Sequence, residues 1–139
     1  MAGTRDAIMD AMRTKLIADG SLTTLTGATA SDKRVYSGFD KPDRFVDATF
    51  PGFVVIYPIL SSMPVADAED RRFQVSCFAK KLTTCNRMAD RVDAVLHRKT
   101  LSATGWTDVH MTRLNDMPTY DDRDGVFHIV MEFMVGVYS

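Results

Sequence analysis

Glutamate is scarce in this chain: among 18 acidic residues only Glu69 and Glu132 are glutamates, and the rest are aspartates. Aspartate is a weak helix former and a good turn or cap residue, so this bias argues against a helical bundle and for strands and loops. Cysteine is also sparse. Cys77 and Cys85 are too few for the disulfide framework of a small secreted domain. Neither sign of charge dominates, with 17 basic against 18 acidic residues and a net charge of −1, so the chain as a whole is not a basic nucleic-acid binder. Long apolar runs are missing. The nearly apolar stretches 53–60 and 126–138 fall well short of the ~20 residues that a membrane span needs. Met1–Asp10 has no apolar signal core, which leaves a reducing cytosol as the expected compartment. Internal repeats and low-complexity tracts are absent.

The chemistry of common active sites is missing as well. His97, His110 and His128 do not stand at metal-ligand spacing with one another or with cysteine or carboxylate. Serine nucleophile elbows, phosphate loops and dinucleotide fingerprints are absent. The carboxylate-rich Asp121–Gly125 lacks the closing glutamate of a calcium loop and reads as a hairpin turn. No metal or cofactor is expected.

What is present suits one domain over residues 1–139. A chain of 139 residues with 45% hydrophobic and 25% charged composition buries its own core without a disulfide or metal and is not predominantly disordered. Thr4 to Ala18 predicts a helix, capped by Thr4 and stopped by Gly20, with Ile8, Met9, Met12 and Leu16 on one face. A further helical turn is expected at Ser21–Leu25, then loop to Asp32. Short strands are expected at Arg34–Tyr36 and Phe53–Tyr57, with Pro58 placing the second at an edge or at a frayed end. The connection 37–52, with Gly38, Pro42, Pro51 and Gly52, reads as a long irregular loop. Its phenylalanines Phe39, Phe45 and Phe50 either pin it to the core or meet a partner. A second loop is expected at 61–70, acidic at Asp67, Glu69 and Asp70.

Arg71–Phe78 predicts a strand with Phe73, Val75 and Cys77 on one face. Thr83 or Thr84 is expected to cap a helix running to about Lys99, with Cys85, Met88, Ala89, Val92, Val95 and Leu96 as its apolar stripe. Trp106–Leu114 and Val126–Tyr138 predict two more strands, separated by turn chemistry at Asn115–Met117 and Asp121–Gly125. The last strand is apolar on both faces, so its second face also needs cover, for which a neighbouring subunit is a candidate. The expected fold is α+β, a mostly antiparallel sheet with two main helices packed on one face.

The titratable residues have ordinary expected roles. His97 is expected to pair with Asp93 on the helix surface. His110 and His128 are expected on the solvated sheet face, and both cysteines in the interior. One charge pattern stands out. Residues 71–99 hold eight basic residues (Arg71, Arg72, Lys80, Lys81, Arg87, Arg91, Arg98, Lys99) against Asp90 and Asp93, which is 8 − 2 = +6, so the rest of the chain carries −7. Arg87, Arg91 and Arg98 fall within ~40° of one another on the helix, opposite the apolar stripe. Such a ridge is either a solvated face or a positive surface for an acidic partner or, less favoured, DNA phosphate. Separation of opposite charge suits head-to-tail contact between copies.

The order of small features resembles the tail-terminator, or tail-completion, family of long-tailed bacteriophages and phage-derived gene transfer agents. The features are an N-terminal helix ending near Leu16, RVY at Arg34–Tyr36, FPGFVVIY at Phe50–Tyr57 and RRFQVSCFAK at Arg71–Lys80. The helix NRMADRVDAVL at Asn86–Leu96 and the closing YDDRDGVFHIVMEFMVGV at Tyr120–Val137 complete them. The resemblance implies a non-enzymatic virion assembly protein with an α/β-sandwich-like fold. It implies a homo-oligomeric ring, six-membered in the family, that caps the tail tube, ends its polymerisation and joins the tail to the head-side connector or stopper. DNA would pass through such a ring without sequence-specific binding, and the protein would sit at the tail–neck junction of the virion after assembly in the host cytoplasm. The family offers no invariant site residues. The contact candidates come from this sequence alone: Arg71, Arg72, Arg87, Arg91, Arg98, Phe39, Arg44, Phe45, Asp67, Glu69 and Asp70. Another neck protein, or a small α+β enzyme or ligand-binding domain, are the alternative readings.

Overall fold

The computed structural model describes residues 5–37, 51–59, 64–65, 68–101, 103, 107–121 and 126–138. Helix α1 (Arg5–Ile17) buries Ile8, Met9, Met12 and Leu16, the face that the 3.6-residue period selects. Thr4, its expected cap, lies outside the described residues. Gly20 does not stop the helix. It opens a second one, α2 (Gly20–Thr26), because Asp19 adopts an extended conformation and its carboxylate accepts the Leu22 N–H at 3.0 Å. Gly27, at φ 68°, then closes α2 by donating its N–H to Thr23 and Thr24 carbonyls.

Strands β1 (Val35–Ser37), β2 (Gly52–Ile59), β3 (Pro64–Val65) and β4 (Ala68–Ala79) precede helix α3 (Leu82–Leu96), and β5 (Thr100–Leu101), β6 (Thr107–Asp121) and β7 (Val126–Tyr138) follow it. They form one sheet in the order β1-β2-β4-β7-β6-β5, with β3 paired to β4. The β1–β2 pair is parallel and every other pair is antiparallel. The α+β expectation of a mostly antiparallel sheet with helices on one face therefore holds.

Alternation fixes two faces. On the inner face Val54 and Ile56 of β2, Phe73, Val75 and Cys77 of β4, and Ile129, Met131 and Phe133 of β7 join the buried side chains of all three helices in one core. Register aligns Val54, Cys77 and Ile129 in a row across three strands. The outer face holds a smaller cluster of Phe53, Val55 and Val126, with Tyr36, Tyr57 and Phe78 packed against it.

Several boundaries differ from expectation. Helix α3 starts on Lys81, which offers no side-chain cap, so neither Thr83 nor Thr84 is the cap. It ends at Leu96 rather than Lys99, because His97 is extended and Arg98 is left-handed at φ 59°. The expected turn at Asn115–Met117 is strand. β6 runs on to Asp121 and absorbs the irregularity as a register shift between Arg113 and Asn115. Part of the expected 61–70 loop is strand too, since β3 and the start of β4 pair Pro64 with Glu69 and Val65 with Ala68. Pro58 sits inside β2, where β1 no longer pairs: their contacts end at Ile56. A missing N–H is tolerated at such an open edge.

Candidate assembly surfaces

The helix layer presents the basic residues that the sequence groups together, but in altered form. Arg91 is not a free cation. Its Nε and Nη2 donate to the two Asp19 oxygens at 3.0 and 2.8 Å, joining the α1–α2 corner to α3. The guanidinium holds the Asp19 carboxyl below its ordinary range, outweighing the opposing effect of partial burial. Arg98 lies past the end of α3, so the expected three-arginine ridge along one helix face does not form. Arg87 stays exposed, and among the described residues it makes no ion pair. It borders an open groove between α2 and α3, lined by Ser21, Thr24 and Leu25 on one side and Arg87, Asp90 and Arg91 on the other.

On the sheet, Arg72 is exposed and its Nη1 donates to the Glu132 carboxylate of β7 at 3.3 Å. Arg71, Glu69 and Asp70 take their places in β4, opposite Val135, Val137 and Gly136 of β7. Phe39, Arg44, Phe45 and Asp67 lie outside the described residues. The structure thus brings Arg87 and Arg91 together at the helix groove and leaves Arg72 on the opposite, outer face of the sheet.

Three features escape sequence reasoning. Asp19 is one; the signal was its place before Gly20-Ser21, where a cap belongs. The others are Leu82 and Leu114, large apolar side chains that remain 45% and 41% exposed. Leu82 is in the first turn of α3, and Leu114 lies within the β6 register shift.

The histidines do not behave as expected. His97 leaves Asp93 to Arg113, whose Nε is 3.3 Å from the carboxylate. The His97 ring instead accepts the Arg113 backbone N–H on Nδ1 at 2.9 Å, supplying the partner that the strand irregularity removes from the ladder. Its other nitrogen then carries the proton. His128 is not on a solvated surface. It is half-buried and stacks on Phe78 with ring centroids 4.0 Å apart, in line with Phe53, which stacks on Phe78 at 4.7 Å. Burial pushes its pKa down. The His110 side chain lies outside the described residues.

Both cysteines are free and buried. Burial pushes the Cys77 thiol up and the Cys85 thiol to about 11, so neither is a nucleophile at neutral pH. Among the described residues no group of three His, Cys, Asp or Glu side chains is placed to hold a metal, and no helix is long and apolar enough to cross a membrane.

The family model for the tail completion protein gp17 matches residues 10–138. The chain belongs to the tail completion protein gp17 family. A solved chain described as "Virion of native gene transfer agent (GTA) particle" shares the fold of this tail completion family member, with TM-score 0.75 at 17% identity over 96% of each chain. A second solved chain superposes with TM-score 0.61 at 16% identity, over 98% of this chain and 96% of its own. No curated protein sequence matches. The family match and the shared fold support a phage tail structural protein.

Proposed function

We propose that this protein is the terminator of a phage-type tail. Copies assemble into a ring, six-membered by family analogy, that seats on the end of the tail tube, stops its growth and presents the opposite side to the head connector. The observation that carries this reading is the family match over residues 10–138. The likeness to a chain of a gene transfer agent virion along 96% of both lengths supports it. DNA crosses the ring without being read, and the assembled protein resides in the virion, reached from the host cytoplasm.

The surfaces described above fit such a role. A ring needs two unlike lateral surfaces on every copy. Arg87 on α3, with exposed Leu82 in the first turn of the same helix, makes one candidate surface, and exposed Arg98 beyond the helix end is a separate candidate. Glu69 and Asp70 of β4, together with Asp67, which lies outside the described residues, are acidic candidates for the other. Arg71 and Arg72 on β4, and Arg44, are candidates for contact with tube or connector. Arg91 is withdrawn from the contact set, because it is already bonded to Asp19.

A direct test uses polymerising tube protein from the same particle, followed by light scattering with and without this chain. Arrest of elongation at substoichiometric protein is expected. Elongation at an unchanged rate and to an unchanged plateau refutes the terminator reading.

A further inference from the structure

Three of the five prolines lie within strands: Pro58 in β2, Pro64 in β3 and Pro118 in β6. A proline nitrogen carries no hydrogen, so the side of the strand that it faces lacks a donor. Successive residues of a strand aim their backbone groups alternately at the neighbours on either side. One known bond on a strand therefore fixes the direction of every other residue until the register shifts.

β2 is fixed by two bonds. Val54 donates its N–H to the Arg34 carbonyl beside β1, and the Pro51 carbonyl accepts the Lys80 N–H from the end of β4. Even-numbered residues of β2 thus face β1, and odd-numbered ones face β4. Pro58 faces the β1 side, two residues beyond Ile56, where the pairing with β1 ends. Phe53 is opposite Phe78, so even-numbered residues of β4 face β2 and β3. Val65, opposite Ala68, then faces β4, and its neighbour Pro64 faces away.

β6 is fixed at Met111, whose N–H donates to the Lys99 carbonyl at 3.0 Å, and at Arg113, whose N–H donates to His97 Nδ1 at 2.9 Å. In this half, odd-numbered residues face away from β7 and even-numbered ones face it. Continued unchanged, the register would set Pro118 opposite His128 with its nitrogen aimed at β7. The shift between Arg113 and Asn115 adds one residue to β6 and sets Pro118 opposite Ile129 instead. Thr112 is opposite Met134, so even-numbered residues of β7 face β6, and odd-numbered ones, Ile129 among them, face β4. Pro118 therefore faces the open side. Among the described residues no strand pairs with 115–121 on that side, and the outward backbone groups there belong to Asp116, Pro118 and Tyr120.

An unpaired edge is a template on which another chain can add a strand. A strand laid along Asp116–Tyr120 would meet no donor at its middle position, and its own carbonyl there would be buried without a partner. We propose that Pro58, Pro64 and Pro118 close the free edges of this sheet to strand addition, so that two copies do not join sheet to sheet. The bulge at Arg113–Asn115 belongs to the same device, because it turns Pro118 outward. The proposal rests on register and backbone chemistry and is independent of the terminator reading.

The test uses the full chain with Pro58→Val and Pro118→Val, singly and combined, since valine restores the N–H and suits a strand. Sedimentation velocity over a concentration series is read together with native-state amide exchange. In the parent, the Met117 and Thr119 amides should exchange slowly, while the Asp116 and Tyr120 amides exchange at close to the unfolded-chain rate at every concentration. The combined variant should shift to larger species as concentration rises, with Asp116 and Tyr120 becoming protected and β7 keeping its parental protection. A folded combined variant that sediments as the parent does would overturn the proposal, because the prolines would then be merely tolerated at the edges. Slow exchange of Asp116 and Tyr120 in dilute parent would also overturn it, because the edge would already be covered. So would fast exchange of Met117 and Thr119, which would reverse the alternation. Loss of folding in both Pro118→Val and Pro118→Ala would count against it equally, because Pro118 would then serve the fold rather than the edge.

Discussion

Three glycines in this fold predict three different responses to the same added methyl group. At Gly52 a Cβ would lie 2.7 Å from the Phe78 carbonyl oxygen and 3.0 Å from Met88 Sδ. The thioether can swing aside, but the carbonyl belongs to β4, which is bonded in register to β2 on one side and β7 on the other. Relief requires the strand to move, and overpacking of this kind costs about 1–3 kcal/mol. At roughly 4 °C per kcal/mol for a domain of this size, Gly52→Ala should lower Tm by about 4–12 °C. At Gly27 the methyl meets Arg34 Nη1 at 3.0 Å and Pro51 at 3.4 Å, on a backbone at φ 68° that alanine adopts poorly. Gly27→Ala should cost about 1 kcal/mol or more. At Gly20, in the first turn of α2, nothing lies within 4 Å. Gly20→Ala should be neutral or stabilise by up to about 1 kcal/mol, because it restricts the unfolded chain. Urea titrations of the three variants, compared at equal m-value, measure the order directly. Gly52→Ala within about 0.3 kcal/mol of the parent, or more stable than Gly20→Ala, would refute the β2–β4–α3 packing on which the argument rests.

Other expectations follow from the same geometry. His97→Ala should destabilise by about 1 kcal/mol by stranding the Arg113 N–H, with partial rescue by His97→Asn; equal stability of all three proteins would remove the role given to Nδ1. His128 is held neutral by burial, so its folded pKa lies below the ordinary value; its contribution is present above about pH 6.5 and is lost as pH falls through the depressed folded value. Denaturation midpoints at pH 7.5 and 5.5 should therefore differ less in His128→Phe than in the parent, and an identical pH response would contradict this. Ile129→Asp or Phe133→Asp should yield no soluble folded subunit, since both positions are in the inner core; a cooperative melt near the parental Tm would show the faces of β7 to be reversed. Arg87→Glu combined with Arg98→Glu should leave the circular dichroism spectrum and Tm unchanged while impairing tail completion in particles; normal particle yield would take the helix-side cations out of the interface. Arg91→Glu is unsuitable for that purpose, because it would place a carboxylate against Asp19.

Periodicity made the long amphipathic elements legible. The buried faces of α1 and α3 and the alternation in β4 and β7 follow residue by residue from the apolar pattern. What escaped was decided by contacts distant in sequence. Arg91 reads as part of a free ridge until the fold brings Asp19 to it from 72 positions away. Asn115, Asp116 and Pro118 carry turn chemistry, yet they form strand because β7 supplies a full-length partner and β5 covers only the residues near Val109 and His110. The two-residue strands β3 and β5 have no local signature at all. His97 was misassigned for a similar reason: a surface ion pair is the natural reading on a helix, but the helix ends one residue earlier and turns the ring toward β6. Of the contact candidates, Arg72 and Arg87 are exposed, and no local pattern reveals that Arg72 faces Glu132 across the sheet.

The central claim is that this chain ends tail growth, and tail length in particles tests it most directly. Negative-stain images should be taken of tails made in cells that express or lack the protein. The account predicts capped tubes of uniform length when the protein is present, and overlong, headless tubes when it is absent. Uniform, head-joined tails in both cases would contradict it.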